Sequence, residues 1–259
     1  MKKILTTLAV GAMLATAASA DMGRIEMGVG AWQQTPSGVL SYEDSGVTGS
    51  DVSNETEETS AYAWMLIKHP IPILPNIRLE YANVESSGKI KEANFEDFTA
   101  PINTPTFLEM TQYDIIPYYN ILDNTGWVTL DLGLDIKVIE LDYQADGVDI
   151  VGGPNDTTYT ESETIAIPLV YARVRVEIPG TNIGLETDGK YITYDDSTVY
   201  DIRAKVDYTL DFIPVIQPAI EVGYRIQKFD ISDDGDTAGS TAKFDMEFSG
   251  VYAGMMLRF

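Results

Sequence analysis

The sequence predicts an all-β fold: a closed antiparallel up-and-down barrel of about ten strands that crosses a membrane. Residues 199–212 read VYDIRAKVDYTLDF, with Tyr200, Ile202, Ala204, Val206, Tyr208, Leu210 and Phe212 on one parity. Asp201, Arg203, Lys205, Asp207, Thr209 and Asp211 fill the other. Side chains alternate faces along a strand, so an apolar and a charged face are held together for fourteen residues. Strands resting on a globular core are usually only about five or six residues long. Such segments recur ten times, joined by short and long connections in near alternation. No stretch reaches the roughly 20 apolar residues of a membrane helix. Apolar-out, polar-in strands of this kind are those of a transmembrane barrel. A soluble β-sandwich is the competing fold, but its strands are short.

The first segment, 24–32, sets Ile25, Met27, Val29 and Ala31 against Arg24, Glu26, Gly28 and Gly30. An acidic stretch over 35–59 leads to the second, 60–68, which groups Tyr62, Trp64 and Leu66. After the turn 69–75, the third (76–85) opposes Ile77, Leu79 and Tyr81 to Arg78 and Glu80. A loop over 86–107 precedes the fourth, 108–121, and the DNTG run at 123–126 is a hairpin signal. The fifth places Leu130, Leu132, Leu134 and Ile136 against Asp131, Asp135 and Lys137, and its phase slips at Val138 and Ile139. A one-residue slip predicts a β-bulge.

The sixth segment, 161–178, changes phase near Pro168 and then opposes Val170, Val174 and Val176 to Arg173, Arg175 and Glu177. The seventh, 183–194, is the least regular, and the ninth spans 218–230. Residues 243–259 close the chain. Pro117 and Pro168 fall inside predicted strands, where local bulges are expected. Eight or twelve strands are the alternatives, since segment seven and the loop 86–107 are ambiguous.

The N-terminus reads as a secretory signal peptide over residues 1–20: Lys2 and Lys3, an apolar run, then Ala18-Ser19-Ala20. A single barrel domain over 21–259 follows. Removing the leader takes away two lysines and no acid, so the net charge of −23 becomes −25. That excess argues against nucleic acid as a partner, because phosphate binding needs a basic surface. There is no cysteine, which excludes disulfides, thiolate metal sites and a lipidated cysteine. Export without a membrane helix, together with long alternating strands, points to the outer membrane of a Gram-negative cell. Short connections follow the even segments, so both termini would be periplasmic.

The chain ends SGVYAGMMLRF, with Val251, Ala253, Met255, Leu257 and Phe259 on one face. A terminal aromatic with apolar alternate residues resembles the C-terminal signal read by the barrel-assembly machinery of Gram-negative bacteria. Over 21–259 the chain also resembles a family of small outer-membrane β-barrel proteins without assigned activity. The resemblance implies location and architecture, and it assigns no functional residue.

The inward set is the most informative polar feature: Arg78, Glu80, Asp131, Asp135, Lys137, Arg173, Arg175, Glu177, Asp201, Arg203, Lys205, Asp207, Glu221 and Arg225. Ten strands leave an interior little wider than its side chains, so these charges are expected to form an ion-paired plug. The alternative is a narrow pore whose selectivity they set. Interfacial girdles are expected from Tyr62, Tyr143 and Tyr200 above, with Tyr119, Phe212 and Phe259 below.

Catalysis finds little support. His69 is the single histidine and lies in a predicted periplasmic turn, whereas the surface proteases of this membrane work at the outer rim. No catalytic residue and no cofactor is therefore assigned. Asp230, Ser232, Asp234, Gly235 and Asp236 follow part of a calcium-loop spacing, but Thr241 stands where a bidentate Glu belongs. A weak divalent-cation site there, or contact of the acidic loops with lipopolysaccharide through cations, is the remaining metal expectation. Function is thus expected to be non-enzymatic and structural or interactive, exercised through acidic outer loops. A narrow passive channel and a surface hydrolase are the alternatives.

Overall fold

The computed structural model describes residues 23–259 apart from 45–46, 72, 126, 211–215 and 235–239. The signal peptide expected at 1–20 and the girdle residue Phe212 lie outside the described residues. In chain order the strands are β1 (Arg24–Asp44), β2 (Val47–Ser53), β3 (Glu58–Lys68), β4 (Asn76–Ala93), β5 (Phe98–Thr99) and β6 (Pro105–Thr125). They continue as β7 (Val128–Ile150), β8 (Thr157–Glu177), β9 (Ile183–Tyr194), β10 (Ser197–Thr209), β11 (Gln217–Asp234) and β12 (Ser240–Arg258).

Ten of these make a closed antiparallel barrel, sealed where β1 pairs with β12 on one side and β3 on the other. The remaining two, β2 and β5, sit at the end carrying the long loops. There β3 has not yet begun, and β2 takes its place between β1 and β4. The two-residue β5 pairs with Asp149 and Ile150 of β7. Much of what reads as loop in the sequence is therefore strand, since β4, β6, β7 and β8 run on past the membrane-length segments.

β7 shows why the residues arrange themselves so. Leu132, Leu134 and Ile136 point outward and are 43%, 61% and 48% exposed, while Asp131, Asp135 and Lys137 point inward and are buried. With Ile115, Val170, Ile202, Val206, Ile220, Val222 and Met255 they form an exposed apolar belt. A surface of this extent faces hydrocarbon. Tyr119, Trp127 and Tyr208 stand exposed toward the turn end, and Tyr113 and Tyr191 toward the loop end.

The bulge expected at Val138 and Ile139 is absent. The register of β7 runs unbroken through this point against both β6 and β8. What changes is the polarity of the two faces. Beyond Val138 the outward positions Glu140, Asp142 and Gln144 are exposed and polar, while Ile139 is buried inside and Leu141 and Tyr143 half-buried. The phase change near Pro168 has the same cause: Ile165, Ile167, Leu169 and Tyr171 continue the inward face without a slip. Below the boundary the outside is lipid and the inside carries charge; above it the outside is water and the inside becomes an ordinary apolar core. Neither Pro117 nor Pro168 produces a bulge, since Ile77 pairs with Pro117 and Ile136 with Pro168 in continuous register. The irregularities lie instead at Ser50/Asp51, at Asn120–Thr125 and at Asp146/Val148.

β3 corrects a girdle assignment. Tyr62, Trp64 and Leu66 point into the barrel, and Tyr62 donates to Glu221 Oε1 at 2.8 Å. They fit because Gly28 and Gly30 of β1 stand directly across, and a Cβ on Gly28 would collide with the Trp64 ring. Tyr143 is likewise inward, donating to Asp51 Oδ2.

Candidate functional site

The interior of the membrane-length barrel is an ionic layer contributed by most of the strands. On the β9 and β10 side, Arg203 donates to Asp188 and to Glu80 Oε1, the latter at 2.5 Å. Lys190 reaches Glu80 and Asp114, each at 2.6 Å. Lys137 lies 2.7 Å from Asp114, and Arg225 holds Asp201 through Nε at 2.9 Å and Nη2 at 2.6 Å. Toward the turn end Glu186 is the hub. It faces Arg173 at 2.7 Å, Lys205 at 3.3 Å, Arg175 at 3.4 Å and Arg78 at 3.5 Å. Arg173 also holds Asp131 at 2.6 Å, and Arg175 and Arg258 share Asp207, each at 2.6 Å.

Aromatic rings insert among the charges. Lys205 Nζ stands 4.4 Å from the centre of the Trp64 ring, and the Arg225 guanidinium 4.6 Å from that of Trp32. Such cation–π contacts, with the fork geometry of arginine, hold the side chains in one arrangement. A void among them, lined by Trp32, Tyr62, Trp64, Arg78, Glu221 and Tyr252, measures about 10 Å³. That admits roughly one water molecule.

Asp135 is the exception in this layer. Both its carboxyl oxygens are buried without a hydrogen-bond partner, and its nearest cation, Lys190 Nζ, is 3.9 Å away and already engaged elsewhere. Among the described residues of the layer, ten buried acids face nine buried bases, and Asp135 is the acid left over.

Above the ionic layer lies a paired amide step. Gln227 Nε2 donates to Gln112 Oε1 at 2.6 Å, and both side chains are completely buried. One step further toward the loop end the inward residues are Met110, Ile139 and Phe229, and they floor an open cavity of about 470 Å³. Leu40, Leu141, Ile231, Phe244 and Phe98 form its walls, and Glu96, Asp97, Glu161 and Glu163 its lip. Nearby, burial pushes the Asp51 carboxyl up from its ordinary value, against hydrogen bonds from Thr106 and Tyr143.

Of the fourteen lumen residues expected from the sequence, Arg78, Glu80, Asp131, Asp135, Lys137, Arg173, Arg175, Asp201, Arg203, Lys205, Asp207, Glu221 and Arg225 are buried inside the barrel. Glu177 lies instead at the turn-end rim, its side chain 46% exposed between Arg24 and Arg175. Sequence reasoning left out Glu26, Asp114, Glu186, Asp188, Lys190 and Arg258. The three from β9 were there to be found, since Glu186, Asp188 and Lys190 share one parity. The small outward residues Thr187 and Gly189 hid the alternation.

His69 sits at the turn end, its Nδ1 accepting from the Ile71 amide and its Nε2 bonded to the Pro75 carbonyl. The turn thus occupies both ring nitrogens. The candidate calcium loop is only partly described, residues 235–239 lying outside, and Asp230 is engaged with Lys243 at 3.2 Å.

No protein-family model matches the chain, and no curated protein does. Among solved structures, the outer membrane protease OmpT from Escherichia coli is similar at 11% identity, covering 91% of this chain and 97% of that one, with a TM-score of 0.53. A Pseudomonas aeruginosa FadL homologue matches at 7% identity over 95% and 92% of the two chains, with a TM-score of 0.28. The Pseudomonas putida toluene transporter TodX matches at 7% identity over 94% and 91%, with a TM-score of 0.20. At such identity the OmpT likeness shows the barrel fold alone, and the other two overlap too loosely to show more.

Proposed function

We propose that this chain is a closed, non-enzymatic barrel of a Gram-negative outer membrane, acting through its loop-end face. The observation that carries this reading is the ionic layer, in which buried pairs span the interior and the void between Trp64, Arg78 and Glu221 measures about 10 Å³. A hydrated ion crossing it would have to part buried pairs, and breaking one such pair costs about 3–5 kcal/mol. The apolar belt, an N-terminal sequence that reads as a secretory signal and the aromatic C-terminal strand support the membrane assignment. Phe259 is held by backbone bonds to Ile25 on the neighbouring strand, and we assign it to recognition by the barrel-assembly machinery. Lipid and lipopolysaccharide are the partners this surface suits. The occupied ring nitrogens of His69 argue against a hydrolase that uses it.

Planar-bilayer recording tests the closed reading. The expected result is silence from the wild-type chain. Single-channel steps whose size shifts on Arg173→Glu or Arg175→Glu would establish the narrow pore instead.

A further inference from the structure

The cavity at the loop end is a blind cup. Its floor of Met110, Ile139 and Phe229 is at most 2% exposed, and the Gln112–Gln227 pair closes it beneath. Its volume of about 470 Å³ falls in the range of small-molecule sites, roughly 300–1,000 Å³. The lip has one sign of charge. Glu96, Asp97, Glu161 and Glu163 border the opening, and the cation among the lining residues, Lys243, is turned to Asp230 and Asp245 at 3.2 and 3.4 Å.

A tyrosine hydroxyl also stands between two of the lip carboxylates. The Tyr159 hydroxyl stands 3.1 Å from Asp97 Oδ2 and 2.9 Å from Glu161 Oε2, yet a phenol has one proton to donate. When both carboxylates are ionised, one of them lacks this donor. An apolar floor under a rim of carboxylates selects a molecule with the opposite arrangement.

We infer that the cup binds a small amphiphilic cation, its apolar body against Met110, Ile139 and Phe229 and its protonated amine among Asp97, Glu161 and Glu163. An anionic amphiphile meets four carboxylates at the lip. A bare metal ion leaves the apolar floor in contact with water. This inference rests on the loop end being the working face, and it names what that face takes up.

The test uses the full chain in zwitterionic lipid nanodiscs, with empty discs as the blank and 4-phenylbutylamine as the probe. Calorimetric titration is expected to show saturable binding of the amine. Its carboxylate analogue, 4-phenylbutyrate, is expected to bind at least about tenfold more weakly. Asp97→Asn with Glu161→Gln, both at exposed positions, should weaken the amine roughly three- to tenfold and leave 4-phenylbutanol unchanged. Leu141→Trp, which fills the cavity, should abolish all three. Equal affinity for amine and carboxylate, an unchanged double variant, or no saturable binding above empty discs would overturn the inference. Bilayer recording on the same preparation keeps the two readings apart: a silent barrel that binds nothing sinks the cup alone, and a conducting barrel that binds the amine sinks the closed lumen alone.

Discussion

Asp201 and Asp135 are the same residue type in the same layer, and the structure assigns them opposite energetic roles. Asp201 is the only ion-pair partner of Arg225 among the described residues, and both side chains are nearly inaccessible to water. Asp201→Asn keeps the shape and leaves the guanidinium buried against a neutral amide. Removing one partner of a buried pair costs about 3–5 kcal/mol. Lys137 and Lys190 lose little, because each retains Asp114 within 2.7 Å. Asp135→Asn strands no cation, since Lys190 keeps Glu80 and Asp114. It also removes a buried carboxyl group that has no hydrogen bond. Stability should change by less than about 1 kcal/mol or rise, because a neutral amide costs no more to bury without partners than a carboxyl group, and less than an ionised one.

The assay is urea unfolding of the refolded chain in micelles, followed by tryptophan emission. Trp32 lies under Arg225 and reports the loss directly. With slopes of roughly 1–3 kcal/mol per M, a loss of about 4 kcal/mol moves the midpoint by more than about 1 M. Equal midpoints for the two variants would refute the pairing scheme.

The boundary on β7 gives a second contrast. Leu134→Arg should cost about 2–4 kcal/mol, as a charge in the hydrocarbon does, whereas Glu140→Arg on the same face should cost less than about 1 kcal/mol. Unfolding midpoints in lipid vesicles check this pair. Gly28→Val forces a branched side chain into the Trp64 ring, which Glu221 and two cations hold in place, so overpacking of about 1–3 kcal/mol or failure to fold is expected. Gly189→Val should be tolerated, because it faces outward with nothing nearer than 3.9 Å. The folded fraction on cold and heated gels separates the two.

Strand count and the inward faces of β4, β7, β8, β10 and β11 were legible because lipid outside and charge inside give each parity its own composition. The same rule misled where the environment changed. At Val138 and Ile139 the sequence shows two adjacent apolar residues, which a slip would also produce; only the third dimension shows that the outer surroundings have become water. A tyrosine near a strand end suits an interface, so the sequence alone points Tyr62 outward. Its true position depends on Gly30 and Gly254 across the sheet, a relation no single segment contains. β2 was hidden among the acidic residues of 35–59, since a strand with water on one side needs no sustained apolar parity. The cup was invisible for the same reason: its floor comes from β6, β7 and β11, and its lip from β8 and the loop before β5.

The most direct test exploits the absence of cysteine from the chain. Single cysteines at each position from 128 to 150 of β7, spin-labelled in vesicles, report contact with oxygen in lipid and with a nickel chelate in water. The account predicts high oxygen contact at 132, 134 and 136, neither reagent at 131, 135 and 137, and the nickel chelate at 140, 142 and 144. Nickel contact at 132, 134 and 136, or at 131, 135 and 137, would contradict a belt in hydrocarbon around a sealed ionic interior.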